Sequence, residues 1–195
     1  MARRTQAVIM QAFMDLLAQK SVDKITVTDV IEKANVNRNT FYYYYDNIPS
    51  LLGAFFEQER IKFSESSDRS DSLAEEYRRA CALFLENRKA ISHIYQSENR
   101  KAISNYLETA AEMFVGRFVR KAAEPYGLEE EGIRYVTHFY SYAIVGLTMH
   151  WIQENMPLDD MVLPERIEST FYASVEQVIA DCKKHSALHR GAWVY

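Results

Sequence analysis

Thr26-Val27-Thr28-Asp29-Val30-Ile31-Glu32-Lys33-Ala34-Asn35-Val36-Asn37-Arg38-Asn39-Thr40-Phe41-Tyr42-Tyr43-Tyr44-Tyr45 contains two short amphipathic segments and a three-residue break. Val30, Ile31 and Ala34 recur at helical spacing, and Phe41 with Tyr45 gives the second segment an apolar edge at i, i+4. Thr26 is a good N-cap residue, with Asp29 three positions on as a shortened capping box. Asn35 tolerates the left-handed conformation a tight turn requires, and the Asn37 side chain can cap the second helix. The spacing predicts a helix-turn-helix. In such a unit the first helix braces across a phosphate backbone, and the N-terminal side chains of the second face base edges in the major groove.

The exposed positions carry matching chemistry. A guanidinium at Arg38 can bind guanine O6 and N7 bidentately, Asn39 can pair with adenine N6 and N7, and Thr40 can meet a thymine methyl or a base acceptor. Tyr42, Tyr43 and Tyr44 supply hydroxyls on rigid rings, suited to phosphate oxygens and thymine methyls. Thr26 and Thr28, at the start of the first helix, and Asn37 and Asn47, at later helix starts, complete the set expected to meet double-stranded DNA. Half-buried packing is the alternative for the tyrosine run and is the expectation for Tyr45. For Arg38 the alternative is a solvated surface charge.

This stretch resembles the DNA-binding domain of the TetR family of transcriptional regulators. The likeness spans roughly residues 5 to 56 and rests on Ile25 and Thr26, Val30 and Ile31, Ala34 and Val36, Thr40 with Phe41 and Tyr42, Tyr44 and Tyr45, and Leu51 with Leu52. It implies a homodimer on a palindromic operator, usually a repressor, whose helical body answers to a small-molecule or protein effector. Three positions depart from the family pattern. Asn35 replaces the usual Gly, Asn37 replaces the usual Ser, and Ile48 stands where a Lys typically meets phosphate. The last substitution leaves Asn47 and the N-terminal amides of the fourth helix to hold the phosphate.

With 48% hydrophobic and 13% aromatic residues in 195, the chain can bury a large core, so a soluble globular protein is expected. Residues 1–50 hold six Lys and Arg against five Asp and Glu, and the remainder 17 against 22. The reading end is therefore basic only locally, on an acidic body. Cys81 and Cys182 lack metal-type spacing and read as buried thiols of a reducing, cytoplasmic compartment. The run from Phe139 to Ile152 is too short to span a membrane and is interrupted by Ser141, Thr148 and His150. Gln6, Gln11 and Asp15 break the apolar run after Arg3-Arg4, so no export signal is expected.

Helical periodicity persists along the chain, predicting an all-α protein: an N-terminal three-helix helix-turn-helix domain, residues 1–62, joined to a helical effector and dimerisation domain, residues 73–195. The first helix is expected over Thr5 to Gln19, burying Val8, Ala12, Phe13, Leu16 and Leu17. A fourth starts at Asp46 or Asn47, and the serine-rich stretch from Ser64 to Ser72 reads as a loop. Further helices are expected near Leu73 to Asn87, Ala90 to Tyr95, Lys101 to Ala123, Glu129 to Glu154 and Pro164 to Lys184. Tyr142 to Gly146 with Trp151 and Ile152 is similar to the TetR branch that includes regulators of dihydroxyacetone-kinase operons.

Tyr95, Phe114, Phe118, Tyr135, His138, Phe139 and Tyr142 are candidates to line an effector pocket, with ordinary core packing as the alternative. Ala143, Gly146 and Met149 on one helix and Phe171, Val175 and Val178 on the next are expected to form a four-helix dimer interface. No phosphate loop, nucleophile elbow or metal box occurs, so neither an enzyme nor a cofactor or metal site is expected. His93, His138 and His150 read as hydrogen-bonded core residues rather than ligands. The competing functional class is a helical protein–protein adaptor with a weak or vestigial helix-turn-helix, favoured by Ile48 in place of Lys.

Overall fold

The computed structural model describes residues 2–66, 70–157 and 162–188. Among these residues there are nine α-helices and no strand: α1 (Ala2–Leu17), α2 (Val27–Ala34), α3 (Arg38–Tyr44), α4 (Ile48–Ser66), α5 (Leu73–Glu86), α6 (Arg88–Tyr95), α7 (Lys101–Ala123), α8 (Glu130–Gln153) and α9 (Leu163–Leu188). The architecture is the expected one, a small N-terminal helix-turn-helix unit joined to a helical body.

In α1 the residues Ile9, Phe13 and Leu17 recur every four positions and are fully buried, with Met10 and Ala12 beside them. Val8, expected inside, is exposed, and Leu16 is only half-buried. In a run of consecutive apolar residues the buried stripe can be misplaced by one position, and here the packing selects Ile9 over Val8. The polar stretch after residue 63 also differs from expectation. Helix α4 continues through Ser64 to Ser66, because Phe63 still has an inward contact to make: its ring meets Phe114 of α7 at 6.2 Å. The central part of the expected loop, residues 67–69, lies outside the described residues. Helix α9 likewise runs beyond the predicted Lys184, to Leu188.

Helix α4 leaves the helix-turn-helix and lies along α7. Phe56 meets Tyr106 at 5.4 Å, and Tyr106 in turn meets Phe84 of α5 at 5.8 Å. Beyond α7, a 3-10 turn over Glu124–Tyr126 and Gly127 in the left-handed region reverse the chain, so that α8 returns antiparallel along it. The Lys183 ammonium of α9 donates to the Tyr126 carbonyl and secures this turn. The Glu168 carboxylate of α9 accepts from Ser72 Oγ (2.8 Å) and the Ala74 amide (3.2 Å), satisfying donors at the start of α5.

A fully buried carboxylate stands where α4, α5 and α7 converge. Glu76 accepts from Arg79 and, at 2.8 Å, from Arg117 of α7. Arg79 lies over the Phe63 ring and Arg117 over the Phe118 ring, and Arg117 also donates to the Ser70 carbonyl at 3.1 Å. A buried charge is tolerated only when paired and hydrogen-bonded, and removing one partner of such a pair typically costs about 3–5 kcal/mol. The guanidiniums are partly exposed, which places this cluster at or below the lower end of that range. Two further polar ties fix the reading unit to the body. His93 Nδ1 of α6 donates to the Leu17 carbonyl at 2.6 Å, and the Asp23 carboxylate accepts from the Glu98 amide (3.3 Å) and from Asn99 Nδ2 (3.1 Å).

Candidate nucleic-acid interface

The surface formed by α2, the turn and α3 is built from local side-chain caps. The Thr26 hydroxyl accepts from the Asp29 amide at 3.1 Å, while Asp29 accepts from the Thr26 amide (2.7 Å), the Thr26 hydroxyl (2.8 Å) and Lys20 (3.0 Å). Helix α2 stops at Asn35, which adopts φ 51° and ψ 49°, and the Val36 amide reaches back to the Ile31 carbonyl at 3.0 Å. Asn37 then caps α3: its Oδ1 accepts from the Thr40 amide (2.8 Å) and from the Thr40 hydroxyl (2.9 Å). Phe41 is fully buried and Tyr45 nearly so, which anchors α3 by its inner face.

The outward face carries Thr28, Asn37, Arg38, Asn39, Tyr42 and Tyr43. Tyr43 protrudes furthest, 79% exposed, whereas Tyr44 is half-buried against it in an edge-to-face contact at 4.8 Å. Two of the candidate contacts have their hydroxyl protons committed within the protein. Thr26 belongs to the capping box, so its side chain is structural rather than free for phosphate. The Thr40 hydroxyl donates to Asn37, so towards an outside partner that oxygen can act only as an acceptor. Arg38 Nη2 donates across the turn to Thr28 Oγ1 at 3.1 Å, joining α3 to α2 on the exposed surface.

Ile48 differs from its expected setting. It is 8% exposed and belongs to the core, while Asn47 and Ser50 cap the start of α4 reciprocally: the Ser50 amide donates to Asn47 Oδ1 (2.8 Å), and the Asn47 amide to Ser50 Oγ (3.1 Å). The isoleucine therefore contributes apolar packing at this position, and its presence is no sign of a decayed DNA surface. Asn47 is exposed beside it.

The seven residues read as effector candidates do not gather around one cavity. Phe114 and Phe118 are core residues, whereas Tyr135, Phe139 and Tyr142 are more than half exposed on α8. Tyr95 borders an open cleft of about 720 Å³ with Arg100 and Met149. His138 borders another of about 970 Å³ between α7 and α8, where its Nε2 faces Glu112 at 3.5 Å beside Arg117, Arg134 and Thr137. Helical geometry explains the division, since positions 135, 139, 142 and 146 fall on one stripe of α8 and 136, 140, 144 and 148 on the other.

That outer stripe also holds Ala143 and Gly146, expected at a dimer interface, together with Leu147, which the reading missed although it lies four positions from Ala143. Methyl-sized space is open around Gly146: nothing lies within 4 Å of where a Cβ would sit. Met149 is half-buried. The α9 half of the expected interface is a correction. Phe171 and Val175 are buried in the protein's own core, Phe171 against Phe118 and Tyr140, and only Val178 is partly exposed. Among the described residues no helix is long and apolar enough to cross a membrane, and no three His, Cys, Asp or Glu are arranged to hold a metal ion. Burial pushes the Cys81 thiol up to about 12, so at neutral pH it is a protonated core group.

Comparison with known proteins agrees with the two-part helical architecture. Residues 9–55 match the model for bacterial regulatory proteins of the tetR family, and residues 71–173 the model for a transcriptional regulator C-terminal region. Over 68 residues the chain is 38% identical to the helix-turn-helix-type dhaKLM operon transcriptional activator DhaS of Lactococcus lactis, a segment covering 34% of this chain and 35% of that one. It is 38% identical over 56 residues to YxbF, an uncharacterised helix-turn-helix-type regulator of Bacillus subtilis, covering 28% of this chain and 15% of the other. The chain thus matches only about a third or less of these relatives' length. Among solved structures, the dihydroxyacetone kinase operon activator DhaS superposes with a TM-score of 0.69 at 21% identity, over 89% of this chain and 97% of that one. The fatty acid degradation regulator FadR from Bacillus halodurans gives 0.63 at 14%, over 84% and 92%. These two establish a shared fold.

The capping box makes a testable contribution. Hydrogen bonds from the Thr26 amide, Lys20 and the Thr26 hydroxyl, in that order, hold the Asp29 carboxyl down at about 2 against an ordinary 3.8. A depressed carboxyl stabilises the fold above its unfolded-state value and loses that contribution as pH falls through the folded one. Asp29→Asn is expected to cost about 1 kcal/mol at neutral pH, measured by urea unfolding. The gap from the parent protein should close as pH is lowered from 3.8 to about 2, and a gap independent of pH would contradict the assignment.

Proposed function

Because the chain belongs to the TetR family of bacterial transcriptional regulators, we propose that it binds a palindromic operator as a two-fold dimer and regulates transcription through a helical body that responds to an effector. Residues 1–62 are the reading head and residues 73–195 the body. The observation that carries this reading is the outward face of α3: Arg38, Asn39, Tyr42 and Tyr43 are exposed together along a capped helix whose inner face is locked by Phe41. Arg38 and Asn39 read base edges, Thr40 presents its methyl, and Thr28, Asn37, Tyr42, Tyr43, Tyr44 and Asn47 set the register on phosphate and sugar.

Occupancy of a promoter excludes polymerase, so repression is the simplest outcome, although the Lactococcus relative carries the name of an activator. The effector, a small molecule or a protein, acts on the body. The α7–α8 cleft beside His138 offers it charged, polar and apolar contacts. One recognition helix spans too few base pairs to select a site, and a second copy doubles the reading length. The outer stripe of α8, with Tyr135, Phe139, Tyr142, Ala143, Gly146 and Leu147, is the surface through which the copies meet.

Arg38→Ala is expected to cost about 1–3 kcal/mol on the selected operator and to relax the preference at one base pair per half-site. Fluorescence anisotropy on operator variants reads both quantities, and unchanged affinity and preference would refute the docking of α3. Gly146→Arg places a long cation where the second copy should approach closely. Light scattering should report a monomer, circular dichroism an intact helical fold, and anisotropy weaker binding to the palindrome. A fully dimeric variant would remove α8 from the interface.

A further inference from the structure

We infer that Thr28 is a positioning residue for base recognition: from α2 it holds the Arg38 guanidinium of α3 in the pose that meets a guanine. The inference rests on the reading of Arg38 as a base reader proposed above and adds a partner that fixes its geometry. An exposed arginine at the first turn of a helix samples many rotamers, and each is lost when the side chain docks on a base. Here one rotamer is selected before docking, by the 3.1 Å bond from Nη2 to Thr28 Oγ1 between residues ten positions apart.

The anchor itself is rigid. Thr28 lies in the first turn of α2, and that turn is closed by the capping box of Thr26 and Asp29 and tied to Lys20. Thr28 is β-branched, which restricts its own side-chain torsion. The donor count is also compatible with base reading. A guanidinium has five N–H groups, and a single bond to Thr28 leaves a complete edge of two parallel donors for O6 and N7.

The hydroxyl keeps a second function. It accepts from Arg38 with one lone pair, and its own O–H stays available to a phosphate oxygen. A phosphate contact at Thr28 and a base contact at Arg38 are then linked through one oxygen. The register that docks the first also aims the second, whereas a threonine that contacted phosphate alone would strengthen binding to every sequence equally.

The test uses the full chain and an operator selected from randomised duplexes. Discrimination at each base pair is read by competition anisotropy for the parent protein, Thr28→Val, Thr28→Ser, Arg38→Ala and the Thr28→Val/Arg38→Ala double variant, with circular dichroism confirming that each is folded. Thr28→Val should reduce discrimination about tenfold at the base pair that Arg38→Ala relaxes and at no other. Thr28→Ser should retain it, and Thr28→Val should leave the ratio unaltered once Arg38 is absent. Should Thr28→Val weaken all sequences by one common factor with that ratio intact, Thr28 is a phosphate contact only and the inference is overturned. If Arg38→Ala itself relaxes no base pair, the underlying reading of Arg38 fails and this inference with it, an outcome distinguished by the Arg38→Ala arm alone.

Discussion

Phe56 and Phe63 of α4 press against Tyr106 and Phe114 of α7, and this aromatic seam carries the reading head. The reading head is joined to the body through α4, the His93 tie to the end of α1 and the Asp23 tie to the turn before α7. At its far end the seam is closed by Glu76, whose buried carboxylate is satisfied only while Arg79 and Arg117 stay in place. A displacement of α7 would disturb ring contacts and a buried charge together. Packed cores of this kind favour discrete rearrangement over continuous deformation. In the proposed dimer, an effector that reseats α7 against α8 therefore has a mechanical route to the spacing of two reading heads.

The helix-turn-helix was legible in the sequence because its determinants are local. Thr26 with Asp29, Asn35 in the left-handed region, and Asn37 with Thr40 each act within three residues, so the spacing that suggested them is also the spacing of the hydrogen bonds found. Phe41 and Tyr45 faced inward as their i, i+4 spacing required. Helix α8 was harder to orient because apolar and aromatic residues cover both of its faces, and periodicity cannot then say which stripe meets the core. Tyr135, Phe139 and Tyr142 were consequently read as pocket residues and lie on the outer stripe, while Phe171 and Val175 were read as outward and fill the core. The buried role of Glu76 had no sequence signature, since a glutamate in the first turn of an amphipathic helix ordinarily faces water. Its burial follows from Arg117, 41 positions away, which only the tertiary fold brings within reach.

The same geometry sets the character of DNA recognition. Ile48 is part of the core, so in the proposed docking the start of α4 offers the groove edge Asn47 and backbone amides rather than an ammonium group. With six cations against five anions in residues 1–50, neutral hydroxyls and amides supply much of the proposed contact set. Binding built this way releases few counterions and depends only weakly on salt. Selectivity then depends on how accurately a small number of side chains are aimed, which is why the caps around α2 and α3, and the bond between Thr28 and Arg38, matter beyond their individual energies.

The central claim, that α3 reads guanine from the major groove in two symmetric half-sites, is tested most directly by methylation interference on the selected operator. Methyl groups at guanine N7 lie in the major groove, on the atom a bidentate arginine would occupy. Methylation is expected to abolish binding at guanines placed symmetrically about the operator centre, one set per half-site. Full binding to N7-methylated duplex, or interference confined to adenine N3 in the minor groove, would contradict it.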